Sequence, residues 1–194
     1  VVIDFTAPQS TLSNTKIASI TKTALVIGTT GINNAQRNKI KTYSKKTPIL
    51  MSSNMSVGVN LLFDLVKQAA SSLNSVEYDI EISETHHKHK VDAPSGTAIA
   101  TAERMLEAST EWMADPTSKE TLSGTRGGDA GSNIKIHSVR MEGMVAHQEV
   151  ILGTTGQSLL IRHDTTDRSA FMPGVVLAVQ RIQGTGLTVG LESL

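Results

Sequence analysis

The segment Glu84-Thr85-His86-His87-Lys88-His89-Lys90-Val91-Asp92-Ala93-Pro94-Ser95-Gly96-Thr97-Ala98 concentrates the chemistry of this chain. Three histidines and two lysines occupy residues 86–90. An imidazole can give up a proton near neutral pH, and a lysine supplies fixed positive charge for a carboxylate or a developing anion. His86 and His87 are adjacent, so on extended backbone they point to opposite sides and one shared job is not expected. His86 and Lys90 converge only if the chain turns between them. Ser95-Gly96-Thr97 follows Pro94 and opens a helical pattern. Backbone N–H groups and the positive helix end make an anion site there, and Gly96 lets a ligand approach closely. The same three residues also make an adequate helix cap with no ligand. A proton donor and a lysine beside a helix start describe a small dicarboxylate site. Lys88 and His89 read as solvated. Zinc held by His86, His87 and His89 is disfavoured, because adjacent histidines are awkward ligands and no HExxH pairing occurs, so no metal site is expected.

The elements that must position this cluster are legible on both sides of it. Upstream, Tyr78, Ile80 and Ile82 alternate with Asp79, Glu81 and Ser83, which predicts a half-buried strand over 78–84. Downstream, Ala98, Ile99, Ala102, Met105 and Leu106 form an apolar stripe, which predicts a helix over 97–108. A helix over 56–73, with Ser56 as N-cap, precedes the strand. Residues 117–133 are rich in Gly, Ser, Thr and charge and read as a long mobile loop, either a lid or a surface excursion. Three alternating strands follow at 134–141, 146–152 and 158–164, joined by short turns as a meander in an antiparallel or mixed sheet. A helix over 169–182, with Pro173 in its first turn, and a short apolar strand or tail at 187–191 end the pattern. His137, His147 and His163 lie one per strand and receive no role.

Before the cluster, three apolar runs, 1–5, 24–27 and 48–51, are separated by helical stretches at 9–19 and 34–44. Strand–helix–strand–helix–strand is the signature of a parallel α/β sheet, whose ligands bind outside the carboxyl ends of the strands. Asp4-Phe5-Thr6, Gly28-Thr29-Thr30-Gly31 and Ser52-Ser53-Asn54-Met55 are therefore expected along one edge. The chain shows no G-x-G-x-x-G dinucleotide fingerprint. It opens on Val1-Val2-Ile3-Asp4-Phe5, inside a predicted strand, and so reads as a fragment with an upstream portion missing.

Composition narrows the function classes. In 194 residues, 18 Lys and Arg balance 18 Asp and Glu, so no global field draws the chain to nucleic acid or an anionic membrane. No apolar run approaches the roughly 18 residues of a membrane span. There is no cysteine, hence no disulfide, thiolate metal site or cysteine nucleophile, which fits a reducing cytoplasm.

The run E-T-H-H-K-H-K-V-D-A-P-S-G-T-A at 84–98 resembles the signature of the 4-hydroxy-tetrahydrodipicolinate reductase (dihydrodipicolinate reductase) family of bacterial lysine biosynthesis. The similarity extends through V-V-I-D-F-T at 1–6, V-I-G-T-T-G at 26–31 and S-S-N-M-S-V-G-V-N at 52–60, and so over nearly the whole chain. The resemblance implies reduction of a cyclic imine dicarboxylate with NADPH or NADH. By it, His86 is the general acid and Lys90 its catalytic partner, while His87, Gly96 and Thr97 bind substrate. Gly28, Thr29, Thr30, Ser52, Ser53, Asn54 and Met55 contact the cofactor, with Phe5 and Arg168 as weaker candidates.

The implied fold class is α/β: a partial Rossmann-like parallel sheet plus an α+β domain with a four-stranded mixed or antiparallel sheet. Its domains would be 1–55 for the dinucleotide, 56–167 for substrate, catalysis and oligomerisation, and 168–194 as a helix returning to the first domain. A cytoplasmic homotetramer is implied as well.

Two departures stand out. The family's glycine-rich phosphate loop and ribose-selecting residue are not in the chain, so poor cofactor binding by residues 1–194 alone is expected. The segment Arg140-Met141-Glu142-Gly143-Met144-Val145-Ala146-His147-Gln148-Glu149 is only partly similar to the family's R-x-G-D-I-V-G-E-H-T. The competing readings are a non-catalytic dicarboxylate-binding or oligomerising module and a metal-dependent hydrolase.

Overall fold

A computed structural model of the protein describes residues 1–73 and 75–191; residues 192–194 of the expected C-terminal segment lie outside the described residues. The chain forms two compact units, Val1–Asn60 with Ser169–Leu194, and Leu61–Arg168.

The first unit is built on four parallel strands in the order β1 (Val2–Asp4), β2 (Leu25–Ile27), β3 (Pro48–Met51) and β9 (Gly186–Val189). Of the strand or tail expected at 187–191, the structure forms the strand, β9, which pairs with β3. Strands β2 and β3 are continuously apolar because both of their faces are covered. Leu25, Ile27, Ile49 and Met51 cluster with Ala18 of α1 (Pro8–Thr21) and Ile40 of α2 (Asn34–Ser44). Val26 and Leu50 cluster with Val175 and Ala178 of α5 (Met172–Arg181) on the opposite side. Each fully buried aliphatic side chain in these layers contributes roughly 1.5–3 kcal/mol. Gly174 permits the close packing of α5, since any side chain there would run into the Met55 carbonyl oxygen. Helix α2 begins with a reciprocal cap, Asn33 Oδ1 accepting from Gln36 N and Gln36 Oε1 from Asn33 N, both at 2.9 Å.

The register Asp4–Ile27–Met51 sets the three strand ends side by side. Cross-links fix them there. Ser52 N donates to Ile27 O at 3.0 Å, and Thr6 N donates to Thr29 Oγ1 at 3.0 Å.

The second unit is a mixed sheet in the order β5 (Gly128–Asp129), β6 (Lys135–Met141), β4 (Asp79–His87), β7 (Ala146–Thr154) and β8 (Gln157–Thr165). A two-residue strand, β5, extends the four strands expected. The three later strands do not form a consecutive meander: β4 lies between β6 and β7, parallel to the first and antiparallel to the second. Central placement explains why β4 runs on to His87 instead of ending at Glu84. Helix α3 (Val57–Ser72) begins in the first unit, and its Leu62, Phe63, Val66 and Ala70 are buried in the second. Helix α4 (Gly96–Leu106) buries Ala98, Thr101, Ala102 and Met105; Ile99, expected in the stripe, is 38% exposed.

The long connection after α4 is tied to the sheet. Arg126 donates to Glu81 at 2.5 Å and to Asp115 at 3.1 Å. Glu120 accepts the Gly124 and Arg126 amides, each at 2.8 Å. Among the described residues, no helix is long and apolar enough to cross a membrane.

Candidate active site

Pairing across β6, β4 and β7 decides what surrounds the cluster. Glu84 stands between Ser138 and Gln148, and His86 between Arg140 and Ala146. By strand alternation Ile80, Ile82, Glu84 and His86 share one face, and His87 belongs to the other. After His87 the chain turns, Lys90 N donating to His87 O at 3.1 Å. That is the reversal that any joint role for His86 and Lys90 requires.

Glu84 is completely buried. Its Oε2 lies 2.5 Å from His86 Nδ1 and accepts from Arg140 Nη1 at 2.8 Å. Its Oε1 accepts from Arg140 Nη2 at 2.8 Å and from Ser95 N at 3.1 Å. Burial opposes its charge, but hydrogen bonds from His86, Arg140 and Ser138 outweigh that and hold the carboxyl down to about 2. Glu84 is therefore a carboxylate at neutral pH, an acceptor only, and the Nδ1 of His86 must donate to it. Nε2 is then the ring nitrogen left for proton transfer.

Lys90 is held by Asp92, with Nζ at 2.6 and 2.8 Å from the two carboxylate oxygens. The ammonium beside it pulls the Asp92 carboxyl down. Arg140 Nη2 also donates to Asp92 O at 2.8 Å, which joins this pair to the Glu84 group. The His89 side chain is 80% exposed, with Glu142 at 3.7 Å, as expected of a solvated side chain.

At the start of α4 the Ser95 hydroxyl caps the helix, accepting from Ala98 N at 3.1 Å. The cap reading thus holds for Ser95. Gly96 is different: it is exposed, and a methyl group added there would meet nothing within 4 Å. Open space over the first turn of a helix, next to the His86–Glu84 group, suits a small anion.

In the first unit, the residues expected to touch a cofactor divide into two sets. Gly28, Thr30, Ser53 and Asn54 reach the surface at the strand ends. Thr29, Ser52 and Met55 are buried. Thr29 Oγ1 is occupied by Thr6 N and by Thr11 Oγ1 at 2.9 Å, and Ser52 Oγ donates to Asn54 O at 2.7 Å. These buried groups shape the edge from behind. The Phe5 ring lies against Gly28, where any side chain would collide with it. A bare glycine and small polar groups at the carboxyl edge of a parallel sheet fit the flat, polar nicotinamide end of a dinucleotide.

The family models described as "Dihydrodipicolinate reductase, N-terminus" and "Dihydrodipicolinate reductase, C-terminus" match residues 1–55 and 58–194. The chain belongs to the dihydrodipicolinate reductase family. It is 45% identical to the 4-hydroxy-tetrahydrodipicolinate reductase of Mycolicibacterium smegmatis, over 100% of this chain and 79% of that protein. It is 43% identical to the reductase of the same name from Synechococcus elongatus, over 100% of this chain and 71% of the relative.

A solved structure, "Dipicolinate bound Dihydrodipicolinate reductase from Paenisporosarcina sp. TG-14", superposes with a TM-score of 0.83 at 34% identity, over 99% of this chain and 72% of that one. The chain thus spans 71–79% of the length of these relatives. Membership makes the chain an oxidoreductase of lysine biosynthesis, and it does not favour the non-catalytic module or the hydrolase. Residues 1–55 fall in the nucleotide-binding part of a family of NAD(P)H-dependent reductases.

Sequence reasoning missed Arg140. It lies 56 residues from Glu84, so no local spacing signals the pair. Only its place at the head of the partly similar segment 140–149 marks it. Glu84 carried a clearer signal: it ends the predicted strand two residues before His86, and once that strand runs on to His87 the two share a face.

Proposed function

We propose that this chain reduces 4-hydroxy-tetrahydrodipicolinate to tetrahydrodipicolinate, with His86 as proton donor. The hydroxyl leaves as water, and a hydride and a proton are added to the ring system. A nicotinamide nucleotide, NADPH or NADH, supplies the hydride when bound. Gly28, Thr30, Ser53 and Asn54 would face it, with Thr29, Ser52 and Met55 supporting them from behind. Phe5 bounds the edge at Gly28, and Arg168 remains a secondary candidate.

The observation that carries this reading is the commitment of His86 Nδ1 to a buried carboxylate beside an open helix start. His86 gives its Nε2 proton to the electron-rich product of hydride addition. Gly96 and Thr97 receive a substrate carboxylate at the N-terminus of α4. Lys90 supplies positive charge, for which the substrate competes with Asp92. His87 completes substrate binding from the end of β4.

Domain roles follow the same division: residues 1–55 for the nucleotide, 56–167 for substrate and assembly, and 168–194 as an addition to the first. A homotetramer built on the second sheet is part of the reading. Val139, Met141 and Leu160, 41%, 44% and 52% exposed, fall by register on the sheet face opposite His86. Light scattering of the protein tests this, and a monomer at micromolar concentration would refute it. A cytoplasmic location completes the proposal.

The deciding experiment is His86→Gln in the full-length protein. Turnover should fall by about 10²–10⁴-fold, with a much smaller change in substrate affinity. Unchanged turnover would remove His86 from the reaction. Calorimetry on residues 1–194 should show weak NADPH binding; micromolar affinity would contradict the expectation of a partial cofactor site.

A further inference from the structure

We propose that Glu84 is a positioning residue of this site: its carboxylate fixes the proton of His86 on Nδ1 and ties the imidazole to the start of α4, while Arg140 holds the carboxylate in place. This rests on His86 being the proton donor.

The argument is one of hydrogen-bond sense. Five groups converge on the two oxygens of a fully buried carboxylate. Three of them, Arg140 Nη1, Arg140 Nη2 and the Ser95 amide, can only donate. The Ser138 hydroxyl and His86 Nδ1, the latter at 2.5 Å, could take either sense, and the carboxylate leaves each only the donor role. The ring therefore keeps Nδ1–H both before and after it releases the Nε2 proton. No tautomer change or ring flip separates the acid from its conjugate base. An orienting carboxylate behind a catalytic imidazole acts through the same logic in other enzymes.

Arg140 belongs to the scaffold. Beyond its two-point grip on Glu84, Nη1 donates to Val139 O at 2.7 Å and Nη2 to Asp92 O at 2.8 Å. Its terminal nitrogens are thus committed to protein acceptors. The contact chain runs His86–Glu84–Arg140–Asp92–Lys90, and a branch through Ser95 reaches the first turn of α4. One carboxylate thereby sets the spacing between the proposed acid and the proposed anion site. Glu84 touches no reacting atom in this arrangement.

The test uses the full-length reductase. ¹⁵N NMR of the neutral His86 ring in the unmutated protein should show the Nδ1–H tautomer; the Nε2–H tautomer would overturn the proposal. Glu84→Gln replaces one acceptor oxygen with a donor amide, so one of its partners meets a donor. Its kcat should fall on the order of 10²-fold, KM should stay within about threefold, and the His86 ring should lose its single tautomer. Unchanged kcat, or a loss confined to KM, would overturn the proposal. Should Glu84→Gln fail to fold, the tautomer of the unmutated protein still decides. If His86→Gln is inactive while Glu84→Gln keeps full kcat, only this inference fails. Full turnover in His86→Gln removes the underlying reading instead.

Discussion

Two buried carboxylates stand at or near strand ends, one per unit, Asp4 on the edge strand β1 and Glu84 on the central strand β4, and their partners differ in kind. Asp4, 1% exposed at the end of β1, is satisfied by neutral groups: Thr6 Oγ1 at 2.6 Å, Thr6 N at 3.0 Å and Asn14 Nδ2 at 3.0 Å. Burial works against its charge, yet these bonds keep its carboxyl below the usual range. Glu84, toward the end of β4, is gripped by a guanidinium, an imidazole and a backbone amide, with the Ser138 hydroxyl beside them. Hydroxyls rotate and side-chain amides flip, so most of Asp4's partners can reverse their sense. A guanidinium and a backbone N–H cannot. A buried acid with adaptable neutral partners shapes a turn, whereas one locked among obligatory donors imposes a proton position on its neighbour.

The contrast is tested most severely by Arg140→Leu. It leaves Glu84 buried without its counter-charge and should cost about 3–5 kcal/mol, read as a large drop in the denaturant midpoint. A loss below about 1 kcal/mol would place Glu84 among the adaptable acids.

Acid titration of stability comes next. The Glu84 carboxyl moves from 4.5 when unfolded to about 2 when folded. A group whose pKa is depressed on folding stabilises above its unfolded value, and that contribution is lost as pH falls through the folded value. Between pH 4.5 and about 2 the loss should approach roughly 3 kcal/mol, at about 1.4 kcal/mol per unit. The slope of stability against pH should flatten in Glu84→Gln, if that variant folds. Asp4 has the same sign, and its share should vanish in Asp4→Asn.

Asp4→Asn itself should be mild, about 1 kcal/mol, because its neighbours can re-pair. A loss as large as that of Arg140→Leu would dissolve the distinction. Thr29→Ala is expected to be the smallest, within about 1 kcal/mol, since Thr6 N and Thr11 each lose one neutral bond. A greater effect on nucleotide binding than on stability would move Thr29 from support to direct contact.

How much was legible varies with how local the cause is. Helix α2 was readable to the residue because Asn33 and Gln36 cap it within one turn. Helix α1 was read short: it buries Thr11, Thr15 and Ser19, polar residues that an apolar periodicity does not count. The run past Glu84 to His87 was underestimated because its hydrogen bonds come from β6 and β7, more than fifty residues downstream. The chemistry-bearing residues could be named from their run alone. Which of them share a face follows from strand alternation.

By itself the sequence determined the elements, the acid-and-anion character of residues 84–98 and the membership in a family. Those properties depend on side-chain identity and on the periods of helix and strand. Only the tertiary structure decided that β4 lies between β6 and β7, that α5 covers the second face of the first sheet, and that Arg140 meets Glu84. Strand order and ion pairing link residues far apart in the chain. They are settled by which apolar faces must be buried together and which buried charge must find a donor, and neither is written in any local window.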